Sequence, residues 1–277
     1  MTVTVTAPAQ PLFLPGESGQ LFALYRGASA SATAAVFVPA FAEEMNKSRR
    51  MFTLAAEALA NRGIGSLVLD LHGTGDSAGN FADARWERWR SDLQHVCAWL
   101  VARGHQRIAL IGLRMGALLA LDTAGTIPEV ARIVLWQPVL SGESLVTQFL
   151  RTDVVARMLT QSDSRSTTET LRAQLRDGEA IEVAGYTLAP ELVQALESLR
   201  LEMLFPANNV PVDWIDVVAD ASRGSTPAGE RVRRAWQERG VMVNFQAVSG
   251  PPFWSSVEIA VAPELVQATA TLLGEST

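Results

Sequence analysis

Histidine is scarce in this 277-residue chain: His72, His95 and His105 are the only three, and none follows position 105. Any chemistry needing an imidazole late in the chain is therefore excluded. Cysteine is rarer still. With Cys97 alone there can be no internal disulfide, and a reducing compartment is the natural setting. Basic charge is short too, since the formal net charge is −6, which argues against a general nucleic-acid surface. No uncharged apolar run approaches the roughly 18 residues that a membrane span needs. Residues 1–10 lack both a basic start and a long apolar stretch, so no signal peptide is expected and the cytoplasm is the default location. Neither a cofactor nor a metal is expected. No internal repeat or low-complexity segment stands out.

What is present is apolar residue in quantity, 48% of the chain, which suits one α/β domain with an insertion better than two independent domains. Residues 12–14 and 21–25 flank the turn-rich Pro15-Gly16-Glu17-Ser18-Gly19 and read as a β-hairpin. Strands are predicted at 34–39, 66–71, 108–111 and 132–136. Helices are predicted at 49–61, 84–103 and 117–124, the first two ending at Gly63 and Gly104. Such alternation with short connections indicates a parallel sheet covered on both faces. After Gln137-Pro138 the rhythm breaks. Residues 141–205 carry two or three helical patterns and a hairpin candidate around Gly185, too much for a plain loop. They read as a cap inserted into a core made of 1–140 and 206–277. The core resumes with strands at 214–218 and 242–248 and helices at 228–239 and 257–273.

The stretch that organises the rest is Arg107–Leu118, RIALIGLRMGAL. A short β-branched run, then G-x-x-x-G, then an apolar helical segment is the layout of a nucleophile elbow, the sharp turn that lifts one side chain above an α/β-hydrolase sheet. Yet the raised position holds Arg114. A guanidinium stays protonated at any working pH and cannot be a nucleophile. In hydrolases of this fold the base follows the last strand, where this chain reads Ser249-Gly250-Pro251-Pro252-Phe253-Trp254. Two of three triad roles are thus unfilled independently of each other, while Asp220 could occupy the acid position. Gly75-Asp76-Ser77-Ala78-Gly79 matches G-x-S-x-G literally, but it lacks the strand before and the helix after. Ser77 reads as a residue that orders its own turn.

Arg114 admits two readings. One is a structural ion pair with Glu43, Glu44, Asp76 or Asp220, with Glu44 favoured because it sits further into the turn that opens the helix. The other is an anchor for a carboxylate, phosphate or acyl oxygen, helped by backbone N–H groups of the elbow. Residues 39–50, PAFAEEMNKSRR, place Glu43, Glu44, Asn46, Lys47, Arg49 and Arg50 in one loop and the first turn of its helix. Open α/β sheets bind ligands at this edge. His72, just past a strand end, is either a proton carrier or a loop-stabilising donor. His95 and Cys97 read as packing residues within a helix, and Trp86, Trp89 and Trp99 as its buried stripe. The candidates for chemistry are therefore Arg114, Glu44, His72 and Asp220. Phe41, Glu43, Met115, Asp76 and Trp254 are the candidates for contact with a ligand.

With residues 43–50, LHGTGDSAGNF, RWERW, GLRMGA and SGPPFW in view, the chain resembles the second type of hydrolase-like protein associated with the exosortase A system. The resemblance spans roughly residues 12 to 273, and EEMNKSRR is its most specific part. It implies a Gram-negative bacterial setting beside protein-sorting and exopolysaccharide genes, and an α/β-hydrolase fold. Arg114 and the Pro251-Pro252 pair belong to the family's pattern, and the resemblance names no substrate.

Three functions stay open: a ligand-binding or non-canonical hydrolase-like protein taking a small acyl or anionic molecule, a hydrolase or acyltransferase of unusual mechanism using Glu43, Glu44, His72 or Asp220, and a non-catalytic interaction scaffold. An open, polar pocket lined by Arg114 and Glu44 favours the first two, whereas a filled one favours the third. Oligomeric state is not legible.

Overall fold

The computed structural model of the protein describes residues 8–27, 32–160, 167–206 and 210–274. The reading of a leader rests mostly on residues 1–7, which lie outside them. The sheet grows from an antiparallel hairpin, β1 (Gln10–Gly16) with β2 (Gly19–Arg26). Its centre is five strands buried along nearly their whole length: β3 (Thr33–Val38), β4 (Gly65–Leu69), β5 (Arg107–Leu113), β6 (Val130–Trp136) and β9 (Val212–Val218). Near-continuous apolar sequence is what a strand covered on both faces requires. With β10 (Val243–Ser249) at the far edge, the order is β1-β2-β4-β3-β5-β6-β9-β10. Pairing is parallel from β4 onward, and β2 meets β4 antiparallel.

Helices cover both faces. α1 (Glu43–Ala60) and α8 (Pro263–Gly274) bury Met51, Phe52 and Leu265 against one side. α2 (Trp86–Ala102), α3 (Met115–Ala124) and α7 (Pro227–Glu238) cover the other with Trp89, Leu118 and Trp236. Two boundaries depart from the sequence reading. α1 starts at Glu43, not near Arg49, so the charged block forms helical turns and is not a loop. Two carboxylates in the first turn face the positive end of the helix dipole, which favours this early start. α8 starts at Pro263, not near residue 257. Proline is tolerated at a helix's first turn but disfavours helix in the residue before it, so 257–262 stay outside.

Between β6 and β9 the chain forms α4 (Gly142–Thr160), α5 (Thr168–Arg176), the hairpin β7 (Ile181–Val183) and β8 (Tyr186–Leu188), and α6 (Pro190–Ser198). The hairpin turns on Ala184 and Gly185, both at positive φ (50° and 83°), as a two-residue turn that continues the strand twist requires. Leu145, Leu150, Leu171, Leu192 and Leu196 join the same apolar cluster as α2 and α3. Among the described residues, no helix is long and apolar enough to cross a membrane.

Candidate functional site

Three non-glycine residues at positive φ stand at the carboxyl ends of adjacent strands: Ala42 (φ 50°) after β3, Arg114 (φ 54°) after β5 and Gln137 (φ 44°) after β6. Such backbone costs about 1–3 kcal/mol per residue and persists where the surroundings over-determine it. At Arg114 the surroundings are tight. A Cβ on Gly116 would overlap the carbonyl oxygens of Val38 and Pro39, and one on Gly112 would overlap the backbone of Gly116 and Ala117. The two glycines let β5, α3 and β3 touch backbone to backbone, which forces the chain to turn on residue 114. Arg114 N–H is held by the Trp136 carbonyl at 3.0 Å.

The guanidinium projected by this turn meets α1. Arg114 Nη2 lies 3.1 Å from Glu44 Oε1, and Nε lies 3.2 and 3.4 Å from the two carboxylate oxygens. One edge of the planar fork is thereby committed to one carboxylate. The pair is mostly covered, with side-chain exposures of 13% for Arg114 and 23% for Glu44. Nη2 also donates weakly to Gln148 Oε1 at 3.4 Å, and the Trp254 ring centroid lies 5.5 Å from the guanidinium carbon. Burial pushes the Glu44 carboxyl above its ordinary value, against the opposing pull of Arg114 and Lys47.

Above the pair opens a cavity of about 480 Å³. Its floor is Arg114 and Glu44. Phe41, Leu145, Phe149 and Trp254 supply apolar wall, and Glu43 and Lys47 add charge. The hairpin closes one side, where Tyr186 donates to Glu43 Oε2 at 3.2 Å and Asn46 Nδ2 donates to the Tyr186 hydroxyl at 3.1 Å. Burial beside Glu43 pushes the Tyr186 hydroxyl up to about 12, so it remains a donor.

Of the residues singled out in the sequence, the structure gathers Arg114, Glu44, Glu43, Phe41 and Trp254 around this space. Four lie elsewhere. Met115 is buried in the core, because the turn raises only residue 114 and returns the next side chain inward. Asp76 is exposed, and its backbone N–H donates to Asp70 Oδ2 at 3.0 Å. His72 is buried in its own loop. Its N–H donates to Asp92 Oδ2 (2.8 Å), its carbonyl accepts from Trp89 Nε1 (3.0 Å), and desolvation holds its imidazole below the usual histidine value. Asp220 is exposed and binds Ser222 N and Oγ at 3.0 and 2.7 Å, capping a short 3-10 turn; those two bonds hold its carboxyl below the ordinary value.

Other readings sort in the same way. Ser77 Oγ is buried, donates to the Asp70 carbonyl (2.5 Å) and accepts from Phe22 N–H (2.8 Å), so it orders its loop against β2. Cys97 is buried, but His95 is exposed on α2 and bonds Ser91, which corrects the packing role expected for it. Trp86 and Trp89 are buried as expected, whereas Trp99 is only half-buried at the edge of the stripe. The sequence places Lys47 in the charged block but not among the candidates for contact, and sequence reading missed Leu145, Gln148, Phe149, Thr152, Ala184 and Ser255, most of them from the stretch between β6 and β9. Composition marks that segment as inserted but does not say which side of α4 turns toward the elbow.

An eight-stranded, mostly parallel sheet covered by helices, with a strained strand–turn–helix elbow at its centre, is the α/β-hydrolase fold. Within it, the sequence signature of the Hydrolase_4 family, serine aminopeptidase S33, matches residues 32–196, and the chain belongs to that family. Among solved structures, it is similar to Est1E from Butyrivibrio proteoclasticus with ferulic acid bound. There the identity is 14% and the TM-score 0.68, over 95% of this chain and 98% of the other. It is similar also to the α/β-hydrolase GrgF from Penicillium sp. sh18, at 17% identity and TM-score 0.66 over 97% and 98%. An α/β serine hydrolase homologue from Coxiella burnetii matches at 16% identity and TM-score 0.56 over 95% and 97%. These likenesses speak to the fold alone. No curated protein matches the chain.

Proposed function

We propose that the protein is a ligand-binding member of its family that uses Arg114, in place of a nucleophile, to hold the anionic group of a small molecule. The observation that carries this reading is the guanidinium at the strained elbow, facing a cavity of about 480 Å³. Residue 114 cannot attack a carbonyl, and no histidine follows position 105 to activate a hydroxyl. The open space above Arg114 and Glu44 supports ligand binding over the scaffold reading. The positions of His72 and Asp220 support leaving both outside the chemistry. Residues 141–205 act as the cap that shapes the cavity. Est1E, a neighbour in fold, has ferulic acid bound, which supports trying a carboxylic acid as the ligand. The resemblance of residues 43–50 to the exosortase A-associated proteins supports a place beside exopolysaccharide and protein-sorting machinery in the bacterial cytoplasm.

Fluorophosphonate labelling together with esterase assays tests the absence of serine chemistry. Wild type is expected to remain unlabelled, and Arg114→Ser to remain inactive on nitrophenyl esters, because a restored hydroxyl still lacks a base. Labelling of wild type, or turnover by the variant clearly above wild type, would overturn the reading.

A further inference from the structure

We propose that the ligand is a monocarboxylic acid with an apolar tail, whose carboxylate settles on Arg114 beside Glu44 so that the two carboxylates together take up one proton. This rests on the anion-anchor reading above and names the ligand class and its linkage to pH.

Of the residues lining the cavity, Arg114 and Lys47 are positive and Glu43 and Glu44 negative, so its lining is balanced in charge. Glu44 already occupies the Nε–Nη2 edge of the guanidinium. A second carboxylate reaching Arg114 must lie within a few ångströms of Glu44. Two carboxylates crowded onto one guanidinium repel each other, which favours holding one proton between them, as in other close carboxylate pairs. The proton comes from solvent and no bond other than O–H forms.

The described groups around Glu44 offer little else to balance a second negative charge. On α1 it has Glu43 and Lys47 as neighbours; Glu43 is held by Tyr186 from the hairpin and by Asn46. α4 presents the uncharged Gln148 and Thr152, and the loop after β10 presents Trp254 and Ser255. Among the described lining residues there is no further cation to neutralise a second negative charge. A phosphate dianion would bring a second negative charge that a monocarboxylate does not, which favours the carboxylate. Burial already pushes the Glu44 carboxyl upward, the direction that favours taking up a proton.

The walls supply the other half of the ligand. Phe41 and Phe149 meet edge to face with centroids 5.1 Å apart, and Trp254 lies over the guanidinium. With Leu145 and Ala184 they leave apolar space leading away from the charged floor. The volume falls within the roughly 300–1,000 Å³ of small-molecule sites. A hydrophilic anion such as acetate or phosphate would leave that surface wet, whereas an alkyl or aryl tail covers it.

Titration calorimetry on the full chain with octanoate, cinnamate, acetate and phosphate decides the matter, at pH 6.5 and 7.5 and in two buffers of different ionisation enthalpy. Octanoate or cinnamate should bind wild type about tenfold tighter at pH 6.5 than at 7.5, with close to one proton taken up per ligand, and far better than acetate or phosphate. Glu44→Gln should abolish the uptake, flatten the pH dependence and raise affinity at pH 7.5 above wild type. Arg114→Gln should lose binding. Arg114-dependent binding without proton uptake, or with phosphate equal to octanoate, overturns this inference and leaves the anion anchor standing. No binding by any of the four anions, or binding indifferent to Arg114→Gln, overturns both. Should Glu44→Gln not fold, the proton count in wild type still separates these outcomes.

Discussion

A guanidinium at the start of a helix faces the positive end of the dipole and needs an anion nearby. Glu44 is that anion, at 3.1 Å, and both side chains are largely removed from water. Taking away one partner of such a pair leaves the other desolvated and unpaired. Full burial would make that worth about 3–5 kcal/mol, and the residual exposure here lowers the expectation to about 1–3 kcal/mol for Glu44→Ala. Removing both should cost less than the two single losses together. A double-mutant cycle by urea denaturation of wild type, Glu44→Ala, Arg114→Ala and the double variant measures this. A coupling of about 1 kcal/mol or more is the expected outcome, and additive losses would mean that the pair is electrostatically idle.

The elbow as an element depends less on what stands at 114 than on what is missing at 112 and 116. Gly116 faces the carbonyls of Val38, the last residue of β3, and of Pro39 just after it, backbone that cannot easily step back. Gly116→Ala therefore forces β3, β5 and α3 apart. Overpacking typically costs about 1–3 kcal/mol, and rigid backbone on the opposing side puts this substitution at the upper end. The expected loss is about 3 kcal/mol, read as a lowered urea midpoint with unchanged slope. A neutral outcome would show that the strand and helix can separate at little cost. The inserted segment is tied down differently, by the Glu43–Tyr186–Asn46 bonds that join the hairpin to α1.

For the whole molecule, buried acids set how stability responds to pH. Asp92 is buried beneath His72, and desolvation pushes its carboxyl from 3.8 to about 6. Glu44 and Asp216 are also raised by burial. A carboxyl raised on folding binds more protons in the folded state, so stability is greatest below the unfolded value and falls as pH rises through the folded one. For Asp92 that window runs from about 4 to about 6, and the shift amounts to roughly 3 kcal/mol once the group is fully charged. Asp92 and the other raised acids favour a higher melting temperature at pH 5.5 than at 7.5, while His72, whose imidazole is held low, pulls the other way, so the comparison with Asp92→Asn isolates the carboxyl. Asp92→Asn, which keeps an oxygen for the His72 N–H, should raise the value at pH 7.5 and shrink the difference. A variant that melts lower at both pH values would show that the ionised carboxylate is needed.

The order of strands and helices was legible in the chain because near-neighbour physics decides it. The runs at β3, β5 and β6 are almost wholly apolar, with Arg107 at the start of β5 and Arg132 within β6 as charged exceptions, the glycines at 112 and 116 allow one kind of turn, and Arg114 in that turn excludes a nucleophile whatever surrounds it. Boundaries were less legible where competing local signals met, as at Glu43 and Pro263, where dipole and proline effects outweighed the hydrophobic pattern. What only the tertiary structure decided is which side chains share the space above residue 114. Glu44 could be favoured from its place in the turn, but the two-point contact of its carboxylate with the guanidinium follows from the length and direction of α1, and loop hydrogen bonds keep Asp76 and Asp220 away. The wall from α4 and the hairpin was hidden for the same reason: contacts between residues as distant as Arg114 and Gln148, or Glu43 and Tyr186, depend on how elements pack, and that packing leaves no local mark on the sequence.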